Sequence, residues 1–347
     1  MSCMTSRGPV TRDKHLPVYE MSPHQEMVDW FSAKVLNHDE GTLRGVCSSS
    51  SSDSLYAALR MAKYRFVSEW ENIQPVIFAS NEGHASLPEI SKLLHLPLFR
   101  IAARKNEGMD MDLLREIVED EPYAIVVLTM GSSFHQLYDD IEVMYSNVIA
   151  KCANTRFHIH IDATFGGLVY PFLCSKWLVY PFDSMNVSIH RHLDIPYRCS
   201  MCIVSNEMKA ELMDYVRTEH LQGQILSDNS VTHLLHTYLF PNNEVKSHIR
   251  RLTRMIEKKN HLFEMNEGAI SCHPLSFIIH FKNVPNEKKD RLTQFGMVSY
   301  QSVGMRNAPN SFSAYVRITK DTTLFTLQVI TSILFELDRP ELDEYHS

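Results

Sequence analysis

A chain of 347 residues with 44% apolar side chains can bury a sizeable core, which excludes global disorder and fits one large domain or a large domain with a smaller companion. Its formal charge of −7 comes from 34 basic and 41 acidic residues with no basic block, which argues against a scaffold built to neutralise nucleic-acid phosphates. The longest apolar run, Tyr123 to Met130, is far short of the roughly 20 residues a membrane helix needs.

In chain order, residues 1 to about 22 are polar and carry Gly8, Pro9 and Pro17, which predicts a loose arm. The first twenty residues have no apolar core of the secretory type, so a cytoplasmic protein is expected, with nuclear entry left open. A helix fits His24 to Leu36. The one low-complexity tract, SSSSSDS (48–54), is open to three readings: a flexible linker, a plain helix N-cap, or an anion cradle. Leu55, Ala58, Leu59, Ala62 and Phe66 then form a helical stripe. PVIFAS (75–80) reads as a buried strand. GHASLPEISKLLHL (83–96) reads as a helix with Pro88 in its first turn. PLFRIAA (97–103) is strand-like, and Asp110 or Asp112 can cap a helix running to Val118. YAIVVLTMG (123–131) is a short apolar run of the parallel-strand kind. A helix from about Asp140 to Ala153 follows, then the strand-like RFHIHIDA and DSMNVSIH. Helices alternating with strands predict an α/β fold with a mainly parallel sheet. Beyond Ser205 the pattern changes to long helices over 206–219 and 231–265, strands LSFIIHF (275–281) and SAYVRIT (313–319), and a closing helix over 323–337. The expected units are an arm and helix over 1–45, a large α/β domain over 46–205, connecting helices over 206–265, and a small α+β domain over 266–347.

Three clusters invite chemical readings. Seven cysteines are too few for a disulfide framework in a chain of this length. Cys199 and Cys202 form one C-x-x-C without a second pair spaced for zinc, so two half-buried free thiols are expected. In FHIHIDATFGG (157–167) the period of two puts His158, His160 and Asp162 on one face. Those three, with His190 or His192 added, could hold a metal and activate water for hydrolysis. Asp162 at a strand's C-terminal end could instead be an isolated carboxylate in a ligand crevice, or the row could be a polar face under a helix. Further on, His190, Arg191 and His192 crowd the end of the next strand.

Five segments taken together resemble the group II amino-acid decarboxylases, of the histidine- and serine-decarboxylase-like branch. These use pyridoxal 5′-phosphate (PLP) and have the aspartate-aminotransferase-type (type I) fold. The resemblance spans roughly residues 24 to 260. It rests on CSSSSSDS (47–54) at the phosphate loop, HAS (84–86), GSSFHQLYDD (131–140), HIDAT (160–164) and SIHRHLDIPYRCS (188–200). It implies that Asp162 pairs with the pyridinium nitrogen, Ala163 packs on one ring face and His84 stacks on the other. It also implies that Ser50, Ser51, Ser188 and His190 donate to the phosphate, and that Ser133 lies near the ring hydroxyl. His192 is expected on a solvated surface.

The departures from the family pattern carry equal weight. Arg191 stands at the position of the lysine that ties the cofactor covalently, and a guanidinium cannot act as a nucleophilic amine near neutral pH. Two glycines of the phosphate loop are replaced by Ser49 and Ser50, where a positive φ would be strained. LSDN (226–229) lacks the arginine of the family's Ser-Gly-Ser-Arg segment. The expectation is a pseudoenzyme that keeps PLP non-covalently, or has lost it, with an amino acid or a phosphorylated small molecule as ligand. A homodimer, or a dimer with an active homologue, is expected, with neither nucleic acid nor membrane as partner. An active decarboxylase using another lysine, Lys92 or Lys176, and a metal-dependent hydrolase are the alternatives.

Overall fold

The computed structural model describes residues 22–69, 73–104, 107–133, 135–174, 179–191, 195–219, 225–239, 250, 254–255, 270–271, 278–295, 297–300, 311–317 and 330. Helix α1 (Pro23–Phe31) starts where Ser22 accepts from the Gln25 amide and Pro23 occupies the first turn, and it runs on through a π turn, Ser32–Leu36. It is followed by β1 (Leu43–Ser48), α2 (Ser51–Glu69), β2 (Val76–Ser80), α3 (Leu87–Leu93), β3 (Leu98–Ile101) and α4 (Met111–Val118). Next come β4 (Tyr123–Thr129), the short α5 (Ile141–Val143) with its π extension to Ile149, and β5 (Arg156–Asp162). Then follow α6 (Tyr170–Leu173), β6 (Ser184–Ser188), β7 (Ser200–Ser205), α7 (Lys209–Glu219) and α8 (Asp228–Leu234).

The seven strands form one sheet in the order β1-β7-β6-β5-β4-β2-β3. Strands β2 to β6 pair in parallel, while β7 is antiparallel to both β6 and β1, so one strand is reversed in a mainly parallel sheet. Helix layers bury both faces. Leu55, Leu59, Ala62 and Phe66 of α2 and Leu87 and Ile90 of α3 pack on Ile77, Ala79, Ile125 and Val127. The other face receives α1, α4 and α5 through Val28, Phe31, Leu114, Val118 and Met144. Parallel strands must be covered on both sides, which is why β4 reads as an unbroken apolar run. Ser48, Ser80, Thr129, Asp162 and Ser188 close their strands at one end of the sheet, the end where open α/β sheets hold ligands.

A second sheet, antiparallel, has the order β10-β11-β9-β8, with β8 Ile270–Ser271, β9 Ile278–Pro285, β10 Val298–Tyr300 and β11 Ser311–Arg317. The chain differs from the sequence expectations in several places. β1 and β7 are strands that no local pattern announced. The helix expected over 83–96 is confined to Leu87–Leu93, because residues 81–86 form turns in which His84 binds Ser86. Of the helix expected over 231–265, α8 and a π turn to Leu239 are seen, and most of the rest lies outside the described residues, as does the closing helix except Ile330. Cys199 and Cys202 are fully buried free thiols rather than half-buried ones. Among the described residues, no helix is long and apolar enough to cross a membrane.

Candidate active site

The serine tract resolves into a helix cap. Ser50 accepts from the Asp53 amide at 3.1 Å, capping the head of α2, and donates its hydroxyl to the Asp53 carboxylate at 2.6 Å. Ser49 donates to the same carboxylate at 2.9 Å. Positive φ occurs among described non-glycine residues at Asn37, His95 and Gln136 and not at Ser49 or Ser50, so the strain expected from replacing the loop glycines does not arise. Ser51, in the first turn of α2, is buried and lies 3.1 Å from His84 Nε2. The Ser86 amide N–H donates to His84 Nδ1. That leaves the proton on Nε2, which donates to Ser51 Oγ. Ser188 is fully buried at the end of β6, with its hydroxyl 3.5 Å from that of Ser200. Serine hydroxyls from β6, β7 and the head of α2 therefore gather at one end of the sheet.

Asp162 closes β5 and is 3% exposed. Its Oδ1 accepts from the Thr164 amide at 3.2 Å, the Thr164 hydroxyl at 2.7 Å and Asn186 Nδ2 at 3.1 Å. Ala163 behind it is fully buried, and its amide donates to the Asn186 carbonyl. The turn that follows is tight. A Cβ on Gly166 would run into the Met130 carbonyl, to which the Gly166 amide donates at 2.9 Å. Facing it, Gly131 turns with φ +85°. Ser133, on the loop beyond, is exposed. Asp139 ends this loop. Buried, it accepts from the Met109 and Thr129 amides at 2.6 and 2.7 Å, yet burial pushes its carboxyl up to about 6.

Past β6, His190 is half-buried, with Nδ1 2.9 Å from the Cys199 carbonyl and 3.2 Å from its amide. Burial lowers its pKa. The Arg191 guanidinium lies 4.0 Å from the centre of the Phe165 ring, a cation–π contact. Phe165 is three residues past Asp162, so the side chain of residue 191 folds over the turn that carries the carboxylate. His192 and Lys176 lie outside the described residues, and Lys92 is exposed on α3.

The metal reading of His158, His160 and Asp162 gives way to a different arrangement. Both His158 Nε2 and His160 Nδ1 lie 2.8 Å from Ser184 Oγ, and His160 Nε2 lies 2.8 Å from Asn186 Oδ1. Burial lowers both imidazoles to about 4. Among the described residues, no group of three or more histidine, cysteine, aspartate or glutamate side chains is placed to hold a metal ion. Ser184, Asn186 and Thr164 escaped the sequence reading. The signal was the polar alternation of S-M-N-V-S in β6, which acquires meaning once its register against β5 is known. A separate cavity of about 490 Å3 opens beside α4 and α5, lined by Met109, Tyr138, Asp139 and Tyr170 among others. None of the residues expected to bind cofactor lines it.

Known proteins resemble this chain in sequence and in fold. The chain is 28% identical over 138 residues to serine decarboxylase 2 of Oryza sativa, covering 38% of this chain and 29% of that protein. It is 27% identical over 184 residues to the histidine decarboxylase of Vibrio campbellii, covering 50% of this chain and 45% of that protein. These matches span less than half the length of either relative. Among solved structures, tryptophan decarboxylase of Catharanthus roseus in complex with L-tryptophan superposes with a TM-score of 0.69 at 18% identity, covering 90% of this chain and 74% of that one. The L-methionine decarboxylase of Streptomyces sp. 590 superposes with a TM-score of 0.65 at 14% identity, over 90% and 83% of the two chains. The fold is the type I fold expected from the sequence. Residues 14–236, more than half of the chain, match the model of the pyridoxal-dependent decarboxylase conserved domain, and the chain belongs to the pyridoxal-dependent decarboxylase family.

Proposed function

We propose that this chain is an amino-acid decarboxylase homologue of impaired catalytic capacity, which holds PLP or another phosphorylated small molecule without a covalent tie. The residues present fit the recognition of PLP. Asp162 offers a buried carboxylate to a protonated ring nitrogen. Buried Ala163 and the oriented ring of His84 suit the two faces of a flat heterocycle. The hydroxyls of Ser51 and Ser188 and the N-terminus of the 19-residue helix α2 suit a phosphate. Ser50 and His190 are engaged elsewhere, with Asp53 and Cys199, which narrows the phosphate donors to Ser51, Ser188 and the helix amides. When bound, PLP supplies a protonated ring that accepts the electron pair left as CO2 departs.

The observation that carries the reading is Arg191. Its guanidinium lies over Phe165, beside the Asp162 turn, where the family resemblance puts the anchoring lysine. A guanidinium stays protonated and its lone pairs are delocalised, so it offers charge and donors but no nucleophile. Arg191 can hold an anionic group of a ligand by charge alone. A dimer, with itself or with an active homologue, belongs to the same reading and rests on family resemblance.

The test is a PLP titration followed by absorbance on wild type and Arg191→Lys. After borohydride treatment, mass analysis then looks for a lysine-linked cofactor. Wild type is expected to bind PLP reversibly and to lose it on dialysis. Arg191→Lys is expected to gain a covalent adduct at residue 191. CO2 release by wild type from histidine, serine or tryptophan, with an adduct on some other lysine, would establish the alternative of an active decarboxylase.

A further inference from the structure

Alternation along β5 puts His158, His160 and Asp162 on one face, and the parallel register sets Ser184 of β6 opposite His160 and Asn186 opposite Asp162. All five side chains are buried, none more than 3% exposed. They form an unbroken row: His158 Nε2 to Ser184 Oγ, 2.8 Å; Ser184 Oγ to His160 Nδ1, 2.8 Å; His160 Nε2 to Asn186 Oδ1, 2.8 Å; and Asn186 Nδ2 to Asp162 Oδ1, 3.1 Å.

The direction of every proton in this row follows from donor and acceptor chemistry. A carboxylate accepts only, so the amide of Asn186 must turn its NH2 toward Asp162. The same NH2 also donates to Thr164 Oγ1 at 2.8 Å, whose own proton goes to Asp162 Oδ1. Asn186 therefore presents its carbonyl to His160, and His160 Nε2 must carry a proton. An uncharged His160 then has a bare Nδ1, which takes the single proton of Ser184. Ser184 in turn accepts from His158 Nε2–H. The row ends at His158 Nδ1, a buried nitrogen with no hydrogen-bond partner. Burial keeps both rings uncharged at neutral pH. Were His160 charged, its Nδ1 would donate to Ser184, whose own proton would lose its acceptor in the row. Among the described residues, every side-chain hydrogen bond to Asp162 lands on Oδ1.

We propose that His158, Ser184, His160 and Asn186 are positioning residues, a one-directional hydrogen-bond chain that holds Oδ1 of Asp162 and so presents Oδ2 to the ring nitrogen of a bound PLP. The proposal deepens the reading of this crevice as a PLP site and rests on it. The orientation of Asp162 depends on the amide orientation of Asn186. Asn186 in turn is matched to the proton on His160 Nε2, and Ser184 supports that tautomer by donating to the bare Nδ1.

The experiment has two arms. In the first, ¹⁵N NMR of the ligand-free protein at pH 7 reads the imidazole tautomers. His158 and His160 are expected as uncharged rings protonated on Nε2. Ser184→Ala is expected to shift or broaden the His160 signals, because its Nδ1 loses its donor. In the second arm, PLP binding is followed by absorbance. Asn186→Leu is expected to weaken it by about tenfold or more, the usual range for a lost hydrogen bond to a charged group. Ser184→Ala, a milder change that keeps the packing, is expected to weaken it by a smaller factor. His160 found charged or protonated on Nδ1 would overturn the chain whatever PLP does. So would a folded Asn186→Leu that binds PLP as tightly as wild type. A wild type that shows the Nε2–H signals but binds no PLP would overturn the cofactor reading instead.

Discussion

Burial holds the imidazoles of His158 and His160 uncharged, and this ties stability to pH. Each has a folded-state pKa near 4 against an ordinary value of 6.5. A depressed histidine means that the unfolded chain binds the extra proton, so stability is full above about 6.5 and is lost as pH falls toward 4. For His158 the shift corresponds to roughly 3 kcal/mol. Asp139 works in the opposite sense. Its carboxyl, raised from 3.8 to about 6, stabilises the folded state below about 4, and that stabilisation is lost as pH rises through 6. Two histidines outweigh one aspartate, so the net slope follows the histidines. Urea unfolding is expected to show wild type a few kcal/mol less stable at pH 4.5 than at pH 7. Asp139→Asn should widen that gap, since it removes the opposing contribution; a gap that closes would sink the assignment.

At the scale of elements, the head of α2 illustrates how a polar tract becomes structure. Ser50 caps the helix, and the Asp53 carboxylate accepts its hydroxyl proton. Ser50→Ala is expected to lower stability by about 1 kcal/mol in urea unfolding, with the loss concentrated in faster amide exchange over the first turn. An unchanged midpoint would contradict a capping role. The elements best announced by the sequence were those with a strong local signal. β4 is apolar throughout, β5 alternates, and Asp110 heads α4 as its pattern required, accepting from the Asp112 and Leu113 amides. β1 escaped because L-R-G-V-C-S mixes Arg44 and Gly45 into six residues. It becomes a strand by pairing with the distant β7, with Leu43 opposite Ser205, Gly45 opposite Ile203 and Ser48 opposite Ser200. The site divides in the same way. Asp162 and His84 stand in motifs that can be quoted from the chain, whereas Asn186 and Ser184 matter only through the β5–β6 register. The head of α2 could be read as linker, cap or cradle; the Ser50–Asp53 geometry rules out the linker and shows the cap.

Across the whole molecule, the loop after β4 reaches the second sheet. His135, two residues past the exposed loop serine Ser133, donates from Nδ1 to the Glu82 carboxylate at 2.8 Å, and its ring lies 5.5 Å from that of His280 on β9. His135, chiefly by its hydrogen bond, holds the Glu82 carboxyl below its usual value, with Arg100 and His280 adding to the effect. Such a depressed carboxylate stabilises above about 4.5, and the stabilisation is lost as pH falls through its folded-state value. Both partners are partly exposed, so the contribution to global stability stays under about 1 kcal/mol. Glu82→Gln is therefore expected to leave the unfolding midpoint almost unchanged while the amides of β9 exchange a few-fold faster. Equal exchange in both proteins would show that the two sheets are held together elsewhere.

The reversal of β7 has a consequence for how this crevice could change its chemistry. Because β6 and β7 run antiparallel, with Ser188 opposite Ser200 and the Ile189 amide donating to the Cys199 carbonyl, the chain that carries Arg191 leaves from a paired strand end. Whatever amino acid occupies position 191 inherits its address from the sheet rather than from its own side chain. On the proposed reading, Arg191→Lys would therefore restore an amine at this address while the strand pairing that sets it stays in place.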